Sequence, residues 1–168
     1  MGKEGEITID FMRKEDIDQV LAIEQTSFSM PWSRNLFLSE FRSPLVSTLF
    51  VSLSNTATKR IVTGYIVFWL VADEMHILNL AVTPGHRQRG IAKRLVLTGI
   101  KHVYAKGARR AFLEVRASNT LAQKLYSRLG FTGTSVRRNY YDSPVEDAVV
   151  MTLEQGAFLS IAERKELL

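Results

Sequence analysis

The sequence predicts a mixed α/β (α+β) fold, a central sheet flanked by helices. Strand-like apolar runs and stretches of helical period follow one another as βααβββαβαββ, a pattern in which helices cover a sheet. No internal repeat, low-complexity tract or Pro/Gly/Ser-rich linker divides the 168 residues, so residues 1–153 read as one domain and 154–168 as a tail. With 46% hydrophobic and 23% charged residues, the chain has the balance of a globular protein with a sizeable core.

Ile7 to Met12 reads as the first strand. Residues 14–27 place Ile17, Val20, Leu21, Glu24 and Phe28 at helical spacing, and only Glu24 breaks the apolar stripe. Phe28-Ser29-Met30-Pro31-Trp32-Ser33 is a loop, because the residue before a proline is pushed out of the helical region. A short helix with Leu36, Phe37 and Phe41 on one face follows and ends at Ser43-Pro44. Thr48 to Ser52 is a strand, Asn55 to Arg60 a polar turn, Ile61 to Val71 a long buried strand, and Met75 to Val82 another, closed by Thr83-Pro84-Gly85.

From Gly90 to Lys106 a helix turns Ile91, Leu95, Val96, Ile100 and Val103 inward and most of its basic residues outward, with Gly107 as its stop. Arg110 to Val115 is a strand. Ser118 or Asn119 caps a helix carrying Leu121, Ala122, Leu125 and Leu129, which Gly130 ends. Phe131 to Arg138 and Ala148 to Leu153 are the last strands, and Phe158, Leu159, Ile161 and Ala162 in the tail are spaced for a short amphipathic helix.

Several classes of protein are excluded early. No cysteine is present, which removes a disulfide framework, a thiolate zinc site and a Cys nucleophile. His76, His86 and His102 lack metal-ligand spacing, so no metal is expected. The longest apolar run, Tyr65 to Ala72, falls far short of the roughly 20 residues that a membrane helix needs. The charged start, Met1-Gly2-Lys3-Glu4-Gly5-Glu6, has no apolar segment behind it, so no secretory signal is read and a cytoplasmic protein is expected.

The net charge of +5 is unevenly spread: residues 1–86 sum to −3, residues 117–168 to zero, and residues 87–116 to +8. Such a window marks either an anionic partner or a solvated helix face. Within it, Thr83-Pro84-Gly85-His86-Arg87-Gln88-Arg89-Gly90 joins a strand to a helix N-terminus, where orphan N–H groups and the dipole suit a phosphate. Gly90 permits close approach of the backbone, Ala92 keeps the first turn slim, and Arg87, Arg89 and Lys93 add charge. Neither G-x-x-x-x-G-K-[ST] nor G-x-G-x-x-G with an acidic ribose partner is present.

Arg87-Gln88-Arg89-Gly90-Ile91-Ala92 resembles the Q/R-x-x-G-x-G/A acetyl-coenzyme-A signature of the GNAT acetyltransferases. Leu113-Glu114-Val115-Arg116-Ala117-Ser118-Asn119, then Ala122, Leu125-Tyr126, Leu129-Gly130-Phe131, Arg137-Arg138-Asn139-Tyr140-Tyr141 and Glu146-Asp147-Ala148 extend the likeness. Together, with Pro31-Trp32-Ser33, they resemble the RimI branch of that family, the protein N-terminal (ribosomal protein alanine) acetyltransferases, and its archaeal relatives over residues 7–153.

The resemblance implies the GNAT fold, a mostly antiparallel twisted sheet splayed at the cofactor site. It implies acetyl-CoA as co-substrate and, as acceptor, the N-terminus of a protein with a small first residue such as Ala, a ribosomal protein among the candidates. Glu114 matches the family's catalytic glutamate and Tyr126 its tyrosine, the general base and general acid. Leu80, Ala81, Val82, Arg87, Gln88, Arg89, Gly90, Ile91, Ala92, Lys93, Asn119 and Tyr126 match cofactor positions, while Phe28, Pro31, Trp32, Tyr140 and Tyr141 match substrate walls.

Taken alone, Glu114 also reads as a strand glutamate paired with Arg116 or a neighbour, Tyr126 as a packed helix residue, and Asn119 as a cap. Glu24 and Glu146-Asp147 read as solvated surface with a possible part in steering a cationic peptide. Acetylation of a lysine side chain or small-molecule amine is the alternative within enzymes. A nucleic-acid module is disfavoured because the interleaved aromatics of a single-strand binder are missing from the basic window and no recognised motif appears, and a non-catalytic coenzyme A binder is the third class. No nucleic-acid or membrane partner is expected, and the oligomeric state is left open.

Overall fold

Seven strands form one sheet in the order β1-β2-β3-β4-β5-β7-β6 in the computed structural model, which describes residues 6–56 and 59–164. The strands are β1 (Ile7–Phe11), β2 (Ser47–Thr56), β3 (Lys59–Val71), β4 (Glu74–Val82), β5 (Arg110–Arg116), β6 (Thr132–Asp142) and β7 (Val145–Leu153). Between them run α1 (Ile17–Ser27), α2 (Arg34–Phe41), α3 (Ile91–Tyr104), α4 (Thr120–Arg128) and, at the end, α5 (Gln155–Ala162). The sequence-derived element order holds, with α5 added.

Local chemistry sets the helix ends. Ser33 caps α2 through its hydroxyl, which accepts from Leu36 N at 3.3 Å, and Asn119 Oδ1 accepts from Ala122 N at 3.1 Å to cap α4. Alternation along the strands sends side chains to two cores. Ile66, Phe68, Met75, Leu95, Ile100 and Leu113 pack beneath α3, while Ile17, Val20, Phe37, Tyr65 and Val67 pack beneath α1 and α2.

The sheet has one weak join. Every neighbouring pair is antiparallel except β4 with β5, which is parallel and paired only where Glu74–Ile77 meets Arg110–Leu113. Past that point Asn79–Val82 pairs only with β3 and Glu114–Arg116 only with β7, so the two strands part company.

A β-bulge sits beside the split. Phe68 faces Ile77 and Val67 faces Asn79, leaving Leu78 as an extra residue in β4. Met75 and Ile77 belong to the α3 core before the bulge, and Leu80 and Val82 join it afterwards, so the alternation slips by one. Asn79 and Ala81 consequently face α1.

The structure corrects several sequence expectations. The polar turn expected over Asn55–Arg60 is mostly strand, with β2 running to Thr56 and β3 starting at Lys59; residues 57 and 58 lie outside the described residues. The last hairpin is longer than expected, since β6 continues to Asp142 and β7 begins at Val145, placing Tyr140 and Tyr141 on a strand. Leu121, one of the four apolar residues named for α4, is 80% exposed. Arg94 and Lys101 are half-buried rather than fully outward.

Residues 155–162 are helical, with Phe158 fully buried and Ile161 in the α3 core. Among the described residues no helix is long and apolar enough to cross a membrane.

Candidate active site

The gap between β4 and β5 opens into a cavity of about 590 Å³. Its floor is made by the parted strands, from Ile77 to Leu80 and from Leu113 to Arg116. The loop from Phe28 to Ser33 bounds one side, Tyr140, Tyr141 and Asp142 another, and Asn119, Ala122 and Tyr126 of the α4 region a third. Residues far apart in sequence meet here because two strands lack the hydrogen bonds that would have closed them together.

Glu114 lies in this gap with its side chain 6% exposed. Its Oε2 is 2.6 Å from His76 Nε2, and its Oε1 is 3.2 Å from an Arg137 guanidinium nitrogen. Contact with His76, reinforced by the Arg137 charge, outweighs burial and holds the carboxyl below its ordinary value, so it is ionised at neutral pH. The imidazole is fixed by rings: it stacks on Phe112 with centroids 4.3 Å apart and meets Trp69 edge-on. Arg116 is not the partner of Glu114; it pairs with Glu146 at 3.1 Å.

Glu24 is a correction. Expected at the surface, it is fully buried and lines the cavity. Its Oε2 accepts from Trp32 N at 2.6 Å and its Oε1 from Asn79 Nδ2 at 2.7 Å. Burial outweighs these two bonds and pushes its pKa up to about 7. Glu146 and Asp147 are also more than solvated surface. Glu146 accepts from Ser118 N at 2.5 Å and from Arg116, while Asp147 Oδ1 accepts from Asn139 N at 2.8 Å.

Tyr126 is 5% exposed and packs edge-on against Phe131. Burial raises its pKa well above the usual phenol value, so the hydroxyl keeps its proton. Tyr141 is half-buried and also raised, to about 12, chiefly by burial. Arg116 lies 4.2 Å over the Tyr141 ring, and Tyr140 packs edge-on against Tyr141. Trp32 packs on Phe37, which ties the Phe28–Ser33 loop to the core under α2.

The basic loop follows β4, and only Leu80, Asn119 and Tyr126 of the expected cofactor residues line the cavity. Gln88 and Gly90 have left-handed backbone (φ 61° and 75°), and open space surrounds the Gly90 α-carbon. This turn aims the loop into α3, whose first-turn N–H groups have no intrahelical acceptor.

Arg87 departs from expectation. Its Nε donates to Val82 O at 3.0 Å and a terminal nitrogen to Ser27 Oγ at 3.3 Å, so its guanidinium braces the loop against β4 and α1. Ile91 is 2% exposed, its side chain turned into the α3 core.

Sequence reasoning missed His76 and Asn79. Both are ordinary strand residues in isolation, and their importance rests on the parallel pairing that sets His76 beside Phe112 and on the bulge that turns Asn79 toward Glu24. A polar residue repeated within an otherwise apolar strand was the available clue.

A sheet split between its one parallel strand pair, with a left-handed glycine turn leading into the next helix, is the architecture of an acyl-group transferase fold. The chain belongs to the acetyltransferase (GNAT) family, whose pattern it matches over residues 17–131. It is 32% identical over 148 residues to the [ribosomal protein bS18]-alanine N-acetyltransferase of Haemophilus ducreyi, covering 86% of this chain and 98% of that protein. The crystal structure of the ribosomal-protein-S18-alanine N-acetyltransferase from Escherichia coli superposes with a TM-score of 0.78 at 30% identity, covering 97% of this chain and 99% of that one. Arabidopsis thaliana NAA60 in complex with acetyl-CoA shares the fold, with a TM-score of 0.80 at 18% identity over 90% of this chain and 99% of that one.

Proposed function

We propose that this chain transfers the acetyl group of acetyl-CoA to the α-amino group of a protein N-terminus with a small first residue such as Ala, a ribosomal protein being the favoured substrate, in the cytoplasm. One observation carries the reading. The cavity where β4 and β5 part holds an ionised carboxylate, Glu114, and a protonated phenol, Tyr126, between aromatic walls suited to a short peptide end.

An α-amino group has a reference pKa of about 8, so at neutral pH it must lose a proton before it can attack a thioester carbonyl. Glu114, directly or through a water, takes that proton. The amine nitrogen forms the new bond to the carbonyl carbon, and backbone N–H groups of Leu80–Val82 that lack a β5 partner stabilise the charge gathering on oxygen. The carbon–sulfur bond then breaks, and Tyr126 protonates the departing thiolate, whose reference pKa is about 8.5. Acetyl-CoA is a substrate here, and no protein nucleophile is acylated.

The loop fits the phosphates of that substrate. Backbone N–H groups across Gln88–Lys93 and the Arg89 and Lys93 side chains face the anion, while Arg87 shapes the loop from behind. Asn119 spends Oδ1 on its cap, so Nδ2 is the atom left for the cofactor arm. Phe28, Pro31, Trp32, Tyr140 and Tyr141 hold the peptide's first residue.

A second assignment of the base is favoured by the Glu24 carboxyl, whose pKa near 7 is a closer match to an ammonium than that of Glu114. Thiol release from acetyl-CoA with an Ala-starting peptide tests the whole reading. Turnover is expected with the free N-terminus and lost when the α-amino group is blocked; persistence on a blocked peptide containing lysine overturns it. Glu114→Gln and Glu24→Gln then divide the two bases, because the base is the residue whose loss removes the acid limb of kcat/KM.

A further inference from the structure

The β6–β7 turn does not hang free at the rim of the cavity. The Arg116 guanidinium, at the end of β5, donates to Ser143 O at 3.1 Å, to Pro144 O at 3.1 Å and to Glu146 Oε2 at 3.1 Å. The same planar group lies 4.2 Å over the Tyr141 ring. Glu146 in turn accepts from Ser118 N, which fixes the start of the α4 cap. From across the cavity, Ser29 Oγ donates to Ser143 O at 3.0 Å. Ser29, Arg116, Tyr141 and Asp142 all line the cavity.

We propose that Arg116 is a positioning residue that fixes Tyr141 and the 142–144 turn as the far wall of the peptide site, with Ser29 closing the ring from the other side. The inference rests on the acetyltransferase reading above and names which residues set the affinity of its peptide site. One guanidinium reaches three acceptors and a ring face at once because its donors are spread across a rigid plane. A lysine ammonium in the same place lacks the plane and the fork, so it recovers only part of the arrangement. Because Arg116 acts through the wall, its loss weakens peptide binding and leaves the reacting groups Glu114 and Tyr126 in place.

The test uses the full chain with Arg116→Gln, Arg116→Lys and Ser29→Ala. For Arg116→Gln, the KM of an Ala-starting peptide is expected to rise about 10-fold, with kcat within about 2-fold and the KM for acetyl-CoA unchanged. Arg116→Lys falls between wild type and Arg116→Gln. Ser29→Ala, which removes one exposed hydrogen bond and leaves the fold intact, raises the peptide KM by about 2–3-fold. Hydrogen exchange at the amides of residues 140–146 is expected to quicken in Arg116→Gln while the α3 amides stay as in wild type.

Unchanged peptide KM in both Arg116→Gln and Ser29→Ala overturns the proposal, as does an equal rise in the KM of both substrates. Wild type that turns over no free N-terminus overturns the acetyltransferase reading itself. If Arg116→Gln fails to fold, the Ser29→Ala result decides.

Discussion

His76 Nε2 lies 2.6 Å from Glu114 Oε2, and the imidazole is held flat against Phe112, its cross-strand neighbour. The contact straddles the end of the β4–β5 pairing, with His76 one residue before the last pair, Ile77 and Leu113, and Glu114 one residue after it, so a structural seam and a titrating pair coincide.

His76→Phe preserves the stacking on Phe112 and removes the hydrogen bond that does most to depress the Glu114 pKa. The carboxyl then rises toward or past its ordinary 4.5, since burial pushes upward and only the Arg137 charge and a backbone hydrogen bond oppose it. With Glu114 as the base, the acid limb of kcat/KM moves to higher pH. A profile of peptide acetylation from acid to neutral pH checks this, and an unmoved limb counts against Glu114.

Glu24 gives a stability prediction with the opposite sign from a salt-bridged carboxylate. Its pKa is about 7 in the folded chain against an ordinary 4.5, so between these values the folded state holds more protons than the unfolded one. Stability therefore falls as pH rises through that window. Glu24→Gln removes the titration, and the decline of Tm from about pH 4.5 to about 7 becomes shallower. Thermal unfolding at several pH values reads the difference in slope.

Tyr126→Phe removes a hydroxyl with no hydrogen-bond partner among the described residues, while leaving the ring packed on Phe131. Stability should change little. If the hydroxyl protonates the leaving thiolate, kcat falls by roughly 10²-fold with peptide KM nearly constant, the scale expected for loss of a general acid. Steady-state thiol release measures it.

Phe158→Ala probes α5. The ring is fully buried in the α3 core, so its truncation should cost about 3–5 kcal/mol, as for other large-to-small core changes. Urea unfolding followed by circular dichroism gives the value.

The fold was largely legible because the relevant signals are local. Gly90 and Gly107 bracket a helix observed at Ile91–Tyr104, and the apolar run around Tyr65–Leu70 could only be a buried strand. The ends of the final hairpin were not legible: β6 is exposed almost throughout, so no burial-driven alternation marks Asn139–Asp142 as strand. Within the site, Glu114 and Tyr126 stood out through motifs that span a few residues each. Glu24 looked like a break in an apolar stripe, and only the Asn79 amide and the Trp32 backbone, 55 and 8 residues away, make its burial tolerable. Neither partner is marked in the sequence, because one depends on a bulge and the other on a loop folding back.

That bulge makes the pairing of β4 matter in a way that its length does not. Leu78 is the residue that lets one strand serve two surfaces in turn. Loss of Leu78 would close the bulge and leave Asn79–Val82 on their present faces, whereas pairing Leu78 into the ladder would exchange every later side chain across the sheet, driving Asn79 and Ala81 toward the α3 core and Leu80 and Val82 toward α1. The faces of four residues thus depend on the ladder passing over Leu78, and a change that draws Leu78 into pairing is the one this strand cannot absorb.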